Sequence, residues 1–357
     1  MKIGVITFHQ ALNYGAILQA YALQSFINEN YTNAAAELVD YRSPYLSRLY
    51  SVKSKNSKNP IYGSIRKAHF LLKKRFFQSF IKKNINISKP YTPYTIENAN
   101  STYDKFIVGS DQVWNCNLTD CDKNYLLAFS QPDKRYSYAA SIGISEIPLN
   151  VINEYVKELS CFRKISVREN QAIDTLHNIG LTSIQIQQHI DPVLLLPLDK
   201  WNRLCYQKKN IKSDYVLIFS VEYSNELIEE AVAFAKSKNM EVYYIGQRTK
   251  NADVKYFPLI SIGNLLSLFR DAKYVFANSF HGTAFSIIFH KKFYVRMAHR
   301  DGRNSRIVNL LNQLSLSDKT CIETIDIESD WHHVDKVLDL ERSRSKEYIS
   351  GIIENED

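Results

Sequence analysis

The chemistry-bearing residues of this chain sit in short polar loops that each follow an apolar run. Asn278-Ser279-Phe280-His281-Gly282 lies between the run Ala272 to Ala277 and the mostly apolar stretch Thr283 to His290. His281 could donate a proton or contact an anion near neutral pH, and Gly282 would let the backbone approach a ligand closely. The alternative is that Asn278 or Ser279 only caps a helix and His281 is a satisfied core residue. Arg168 stands at the end of Lys164-Ile165-Ser166-Val167; its planar fork matches a carboxylate or phosphate in a bidentate way. A structural arrangement of Arg168 with Glu169 or a helix accounts for the same residues. After Tyr103 to Val108 come Gly109-Ser110-Asp111-Gln112-Val113-Trp114-Asn115. Ser110, Gln112 and Asn115 offer hydrogen bonds to sugar hydroxyls and Trp114 an apolar wall for a ring. Asp111 could accept a proton from an attacking hydroxyl, or Ser110 and Asp111 could simply cap a helix. Near the N-terminus, Asn13-Tyr14-Gly15 could aim helix N–H groups at an anion, or be a capped turn; the pattern is not a dinucleotide fingerprint. Ser141, in the small-residue loop Ala140-Ser141-Ile142-Gly143, completes the set.

These loops need strands and helices to hold them. KIGVITF reads as a strand and Ala16 to Ile27 as an apolar-rich helix, with a second strand over Ala36 to Tyr41. Further strands are expected at 103–108, 135–139 and 164–167, and then at 215–220, 241–245, 272–277 and 291–295. Helices fall between them, at 150–162, 171–179, 225–236, 262–269 and 303–314. Strand–helix alternation in both halves predicts α/β architecture: two Rossmann-like domains facing a cleft. In such folds ligands bind outside the carboxyl ends of the strands, where a helix N-terminus favours anions. The expected layout is an N-terminal domain over 1–200, a linker near Asp199 to Lys212, and a C-terminal domain over 213–320. A charged helical tail over 321–357 could cross back to the first domain.

The chain has 357 residues, 45% of them hydrophobic and 23% charged, as in soluble globular proteins. No apolar run approaches membrane-spanning length and no signal-peptide layout opens the chain, so a cytoplasmic setting is expected. The five cysteines (116, 121, 161, 205 and 321) lack CxxC pairing and read as reduced thiols, with no zinc site or other metal cluster. Net charge is +8, and no Asp or Glu occurs from Tyr41 to Ile96. That segment should attract an anionic partner; nucleic acid is disfavoured because no nucleic-acid motif accompanies the charge. Within it, Ser51 to Pro60 reads as a polar loop and Ile61 to Ile85 as a basic amphipathic helix. Its apolar face would carry Ile61, Ile65, Ala68, Leu72, Phe76 and Phe80, with Lys73, Lys74, Lys82 and Lys83 largely away from them. Such a helix could rest on an anionic membrane surface or pack on its own domain with the basic face outward, the commoner use.

Asn13-Tyr14-Gly15-Ala16, Val108 to Asn115, Ser166-Val167-Arg168-Glu169, Asp191-Pro192 and Ser279-Phe280-His281-Gly282-Thr283 occur in an order that resembles the polysaccharide pyruvyl transferase family, from the N-terminus to about Leu316. The resemblance implies a GT-B-like fold and transfer of pyruvate from phosphoenolpyruvate onto a sugar as a cyclic ketal. The acceptor would be a galactose-containing glycan, lipid-diphosphate-linked or free, and no cofactor is implied beyond phosphoenolpyruvate as donor. By this resemblance His281 is the acid or phosphate contact, Arg168 the donor contact, and Asp111 the base or sugar ligand. Asn278, Ser279, Gly282 and Thr283 line the donor loop. The family pattern places an arginine two residues before the motif histidine, where this chain has Ser279; Lys291, Lys292, Arg296 or Arg306 would then supply the charge. Two other readings use the same residues: a GT-B glycosyltransferase acting on a nucleotide sugar, and a glycan-binding protein without catalysis.

Overall fold

The computed structural model describes residues 1–50, 60–144, 146–206, 214–297 and 304–354, with the side chains of 60–63, 65 and 66 outside that description. The expected Ser51 to Pro60 loop, residues 207–212 of the expected interdomain linker and Arg303 therefore lie outside or at the edge of the described residues, while Asp199 to Leu204 of that linker are helical. The chain forms two compact units. One comprises Met1–Leu195 and the end of the chain from Leu340; the other comprises Leu196–Asp339.

The first unit begins with β1 (Lys2–Ile6), α1 (Tyr14–Asn30), β2 (Ala35–Tyr41), α2 (Pro44–Leu49), α3 (Pro60–Asn84) and β3 (Ile87–Tyr91). It continues with β4 (Lys105–Val108), α4 (Cys116–Thr119), β5 (Arg135–Ser137), α5 (Ile152–Leu159), β6 (Ile165–Val167), α6 (Asn170–Asn178), β7 (Ile186–Gln188) and α7 (Pro192–Leu195). Its main sheet is parallel, in the order β3-β2-β1-β4-β5. Parallel bridges Tyr136–Lys164 and Ala140–Val167 carry it on toward the β6–β7 pair. The inner strands are continuous apolar runs because helices cover both faces of such a sheet; β3, with Pro90, takes the edge, where a missing N–H is tolerated.

The second unit repeats the plan with α8 (Leu198–Leu204), β8 (Tyr215–Phe219), α9 (Asn225–Ser237), β9 (Glu241–Ile245), β10 (Lys255–Tyr256), α10 (Ile262–Asp271), β11 (Tyr274–Ala277), α11 (Phe280–Ile288), β12 (Lys292–Val295) and α12 (Ser305–Gln313). The order β10-β9-β8-β11-β12 is again parallel throughout. Ser224 and Ser261 cap α9 and α10 by accepting from Leu227 N (3.1 Å) and Asn264 N (3.3 Å). The last helix, α13 (Trp331–Glu354), contains the division at Asp339/Leu340. In both sheets the chain reverses direction beside the first strand, between β1 and β4 and between β8 and β11. Those are the topological switch points where an open α/β sheet holds ligands.

Three local expectations are corrected. First, α3 turns inward only part of the expected face: Phe76 and Phe80 are part-buried, and the side chains of Ile61 and Ile65 lie outside the described residues. Ala68 and Leu72 are exposed, whereas Phe77 is buried, because Phe77 packs on Tyr14 (ring centroids 4.9 Å apart) and Phe80 on Tyr21 (5.7 Å) of α1. Lys73 belongs to this face rather than the solvated one; its ammonium lies 5.5 Å from the Tyr14 ring centroid, and burial lowers its pKa. Second, Cys116 and Cys121 are joined as a disulfide with Cα atoms 4.3 Å apart, so only Cys161, Cys205 and Cys321 are thiols. The turn after α4 brings the two together, which spacing along the chain did not signal. Third, Tyr14 and Gly15 belong to α1 instead of a loop, since Asn13 Oδ1 accepts from Gly15 N at 2.9 Å and starts the helix there. Among the described residues no helix is long and apolar enough to cross a membrane.

One buried group gives the first unit a pH dependence. His189 is 2% exposed, its Nδ1 is 2.9 Å from Ser166 Oγ, and its ring lies against Tyr348. Burial first, and the Arg344 charge second, bring its pKa from 6.5 down to about 4. The folded state therefore binds fewer protons than the unfolded one between those values, and stability is full above pH 6.5 and lost as pH falls toward 4. The expected loss is about 3 kcal/mol. Urea unfolding from pH 7 to pH 4 should show it, and His189→Gln should flatten that part of the profile.

Candidate active site

In the first unit the loop after β4 is tied to β1. Gly109 has φ 113°, and a Cβ there would strike the Tyr138 carbonyl, so glycine is required. Thr7 Oγ1 donates to Ser110 O (3.0 Å), and Gln19 reaches both sides, accepting from Ser110 N (3.2 Å) and donating to Thr7 Oγ1 (2.8 Å). Asp111 takes the left-handed conformation (φ 68°), and its carboxylate accepts from Gln112 N at 2.8 Å.

The loops after β5, β6 and β7 close on the same point. Ser141 N donates to Asp111 O (2.9 Å), and Ser141 Oγ donates to Glu169 Oε1 (2.7 Å). Arg168 Nη1 donates to Asp191 Oδ2 at 2.6 Å, with Glu169 Oε2 3.6 Å from Nε and Ser110 Oγ 3.3 Å from the same Asp191 oxygen. Arg168 is 3% exposed; burial alone would depress its pKa, but the charges of Asp191, Glu169 and Asp111 raise it. The structure thus gathers Ser110, Asp111, Ser141 and Arg168 into one buried cluster. It adds Asp191, a carboxylate outside the expected contacts, and Glu169, the partner that the structural reading of Arg168 allowed for. Asp191 Oδ1 accepts from Val193 N (3.0 Å), so the Asp-Pro pair that starts α7 was the legible sign of its position.

The remaining candidates of this unit have structural partners. Trp114 is fully buried, its indole N–H donates to Tyr125 O (3.0 Å), and it shows no ring face to solvent. Asn115 caps α4 through Asn117 N (3.0 Å) and donates to Gln112 Oε1 (2.7 Å).

In the second unit Asn278 ends β11 and fastens it to the loop after β8. Its Oδ1 accepts from Val221 N (3.1 Å), and its Nδ2 donates to Ser220 Oγ (3.0 Å) and Glu222 O (2.7 Å). Ser279 caps α11 by accepting from Gly282 N (3.2 Å), so the helix begins at Phe280 rather than at Thr283. His281 and Gly282 consequently lie in its first turn, where N–H groups point out of the helix end. Gly282 packs against β8 and β11: a Cβ would sit 2.9 Å from Ala277 Cβ and 3.0 Å from Phe219 Cδ1. Thr283 is buried and donates back to Ser279 O (3.0 Å). His281 is half-buried, its ring edge-on to Phe280 at 5.4 Å. Of the cations expected to replace the missing arginine, Lys291 donates to Arg270 O and Arg296 pairs with Glu230, while Lys292 is 3.3 Å from Glu328.

The motif loops after β1, β4 and β11 thus stand beside the switch points of the two sheets, and those after β6 and β7 close on the β4 loop. The family model for polysaccharide pyruvyl transferase matches residues 13–297. The chain belongs to the polysaccharide pyruvyl transferase family. No curated protein matches it in sequence. Among solved structures it is similar to Anabaena HepE, solved in complex with UDP and glucose, at 8% identity and TM-score 0.52, over 98% of this chain and 100% of that one. It is also similar to UDP-N-acetylglucosamine 2-epimerase from Rickettsia bellii, at 11% identity and TM-score 0.50, over 100% of this chain and 96% of that one. These likenesses show the fold, two Rossmann-like halves of GT-B type. As a member of this family the protein is a transferase of polysaccharide biosynthesis.

Proposed function

We propose that the protein transfers pyruvate from phosphoenolpyruvate onto two hydroxyls of one sugar, in a cell-surface polysaccharide or its lipid-linked precursor, forming a cyclic ketal. The observation that supports this best is the half-buried imidazole of His281 in the first turn of α11, beside outward-pointing N–H groups at the β8/β11 switch point. A helix end of this kind suits the phosphate of the donor. In the reaction, a proton from His281 reaches the methylene carbon, which becomes a methyl group, and C2 becomes electrophilic. A sugar hydroxyl adds to C2 and gives up its proton to water. The C2–O bond to phosphate then breaks, a second hydroxyl closes the ketal, and its proton leaves with the departing phosphate. Neutralising that phosphate is the larger catalytic contribution.

Arg168 enters this scheme as a positioning residue. Its guanidinium is committed to Asp191 and Glu169, which orient the loops carrying Ser110, Asp111 and Ser141. Purified protein given phosphoenolpyruvate and a galactose-bearing acceptor is expected to release inorganic phosphate and add the mass of one pyruvate ketal. Turnover with a UDP-sugar and none with phosphoenolpyruvate would replace this reading by a glycosyltransferase.

A further inference from the structure

The outward face of α3 takes no part in the cluster of motif loops. At 3.6 residues per turn, Leu71, Leu72, Arg75, Lys82 and Lys83 fall on the side of the helix away from the buried Phe77. Leu71 and Leu72 are 50% and 45% exposed, although they are adjacent leucines in the middle of a long helix. A helix whose only task is to pack on its own sheet would bury such a pair and show polar residues outward. Arg75, Lys82 and Lys83 are exposed and form no ion pair among the described residues. From Leu71 to Lys83 is about 18 Å of helix, so the leucines and the cations make one patch.

Nothing nearby in the chain neutralises that patch, since no Asp or Glu occurs from Tyr41 to Ile96. Where the edge of α3 walls a cavity of about 490 Å³ over Asp40, that carboxylate is the acid in the lining. It is already answered: Arg42 Nη2 donates to Oδ2 at 2.9 Å, and His9 Nε2 lies 3.0 Å from Oδ1. Lys74 and Lys82 line the same cavity and extend the positive charge around the helix.

The patch needs an occupant that is both anionic and apolar. A nucleic acid would engage the cations and leave both leucines in water. It would also find few rings to stack on, because Phe77 and Phe80 are spent on Tyr14 and Tyr21 of α1. A second copy of the chain docking through this face would set like charges opposite one another. An anionic lipid surface satisfies both halves, with head-group phosphates for the cations and the acyl boundary for the leucines.

We infer that α3 seats the first unit on an anionic lipid surface, with Leu71 and Leu72 in the acyl boundary and Arg75, Lys82 and Lys83 at the head groups. The inference goes beyond the reaction proposed above and is independent of it, since no residue of that scheme lies on this face.

The full chain is mixed with vesicles of phosphatidylcholine alone or with about one-third phosphatidylglycerol, and the bound fraction is read by flotation. The anionic vesicles should bind at least about tenfold more tightly, and added salt should weaken that binding. Lys82→Glu with Lys83→Glu should lower it by about tenfold or more, and Leu71→Ser with Leu72→Ser by about tenfold. All four side chains are exposed, so urea unfolding should be unchanged and serves as the folding control. Leu72→Trp should gain a fluorescence signal that lipids brominated along the acyl chain quench. Equal binding to the two vesicle types, binding to neither, or affinity unchanged by either double substitution overturns the inference. Binding of an oligonucleotide without binding of vesicles overturns it as well, and makes the face a nucleic-acid surface.

Discussion

His281→Ala is expected to lower turnover by about 10²- to 10⁴-fold, the usual yield of a positioned proton donor, without shifting the unfolding curve. The fold should survive because α11 is nucleated by groups the substitution leaves in place. Ser279 caps Gly282 N, Thr283 bonds back to Ser279 O, and Asn278 holds the preceding loop through Val221, Ser220 and Glu222. What disappears is the imidazole at the helix end, where protonation of the donor methylene and neutralisation of phosphate are proposed to occur. His281→Gln separates the two tasks. A carboxamide can still contact phosphate but cannot deliver a proton, so kcat should remain low while KM for phosphoenolpyruvate stays closer to that of the parent. Near-parental kcat in both variants would remove His281 from the chemistry.

Arg168→Ala is expected to destabilise the first unit by about 3–5 kcal/mol, because it strips the cation from a buried cluster and leaves carboxylates uncompensated. Asp191 and Glu169 are 1% and 3% exposed, so water cannot replace the guanidinium without opening the loops after β4, β5 and β7. The urea midpoint should fall accordingly. The double variant Arg168→Met with Asp191→Leu should recover part of the loss, since one orphaned carboxylate has gone with its partner. Activity should drop with the fold in Arg168→Ala, as Ser110, Asp111 and Ser141 lose their anchor. Unchanged unfolding with a large rise in KM for phosphoenolpyruvate would instead assign the guanidinium to the donor.

Much of this protein can be read from its chain alone. Apolar runs ending in small polar loops announce parallel strands, since a strand covered on both faces has to be apolar throughout. That made both α/β halves legible, and with them the loops at Ser110 and His281. The order of five short motifs made the family legible. Periodicity could not say which residues of those loops turn inward, because a helix face is chosen by its neighbour. Phe77 and Lys73 of α3 face α1, while Leu72 is left to solvent. Nor could residue type distinguish a waiting Trp114 or Arg168 from one already engaged: each is chemically suited to sugar or phosphate, and each is claimed by a partner distant in the chain, Tyr125 for one and Asp191 for the other. The cavity over Asp40 was hidden for the same reason, as its walls come from segments around residues 9, 42 and 78 that only the sheet and α3 bring together. The chain by itself determined the kind of fold, the family and where charge accumulates, because those follow from local pattern. Tertiary structure decided which polar groups are spent on each other and which still face a ligand, because pairing energies in a buried site depend on distance and solvent exclusion, which no spacing along the sequence encodes.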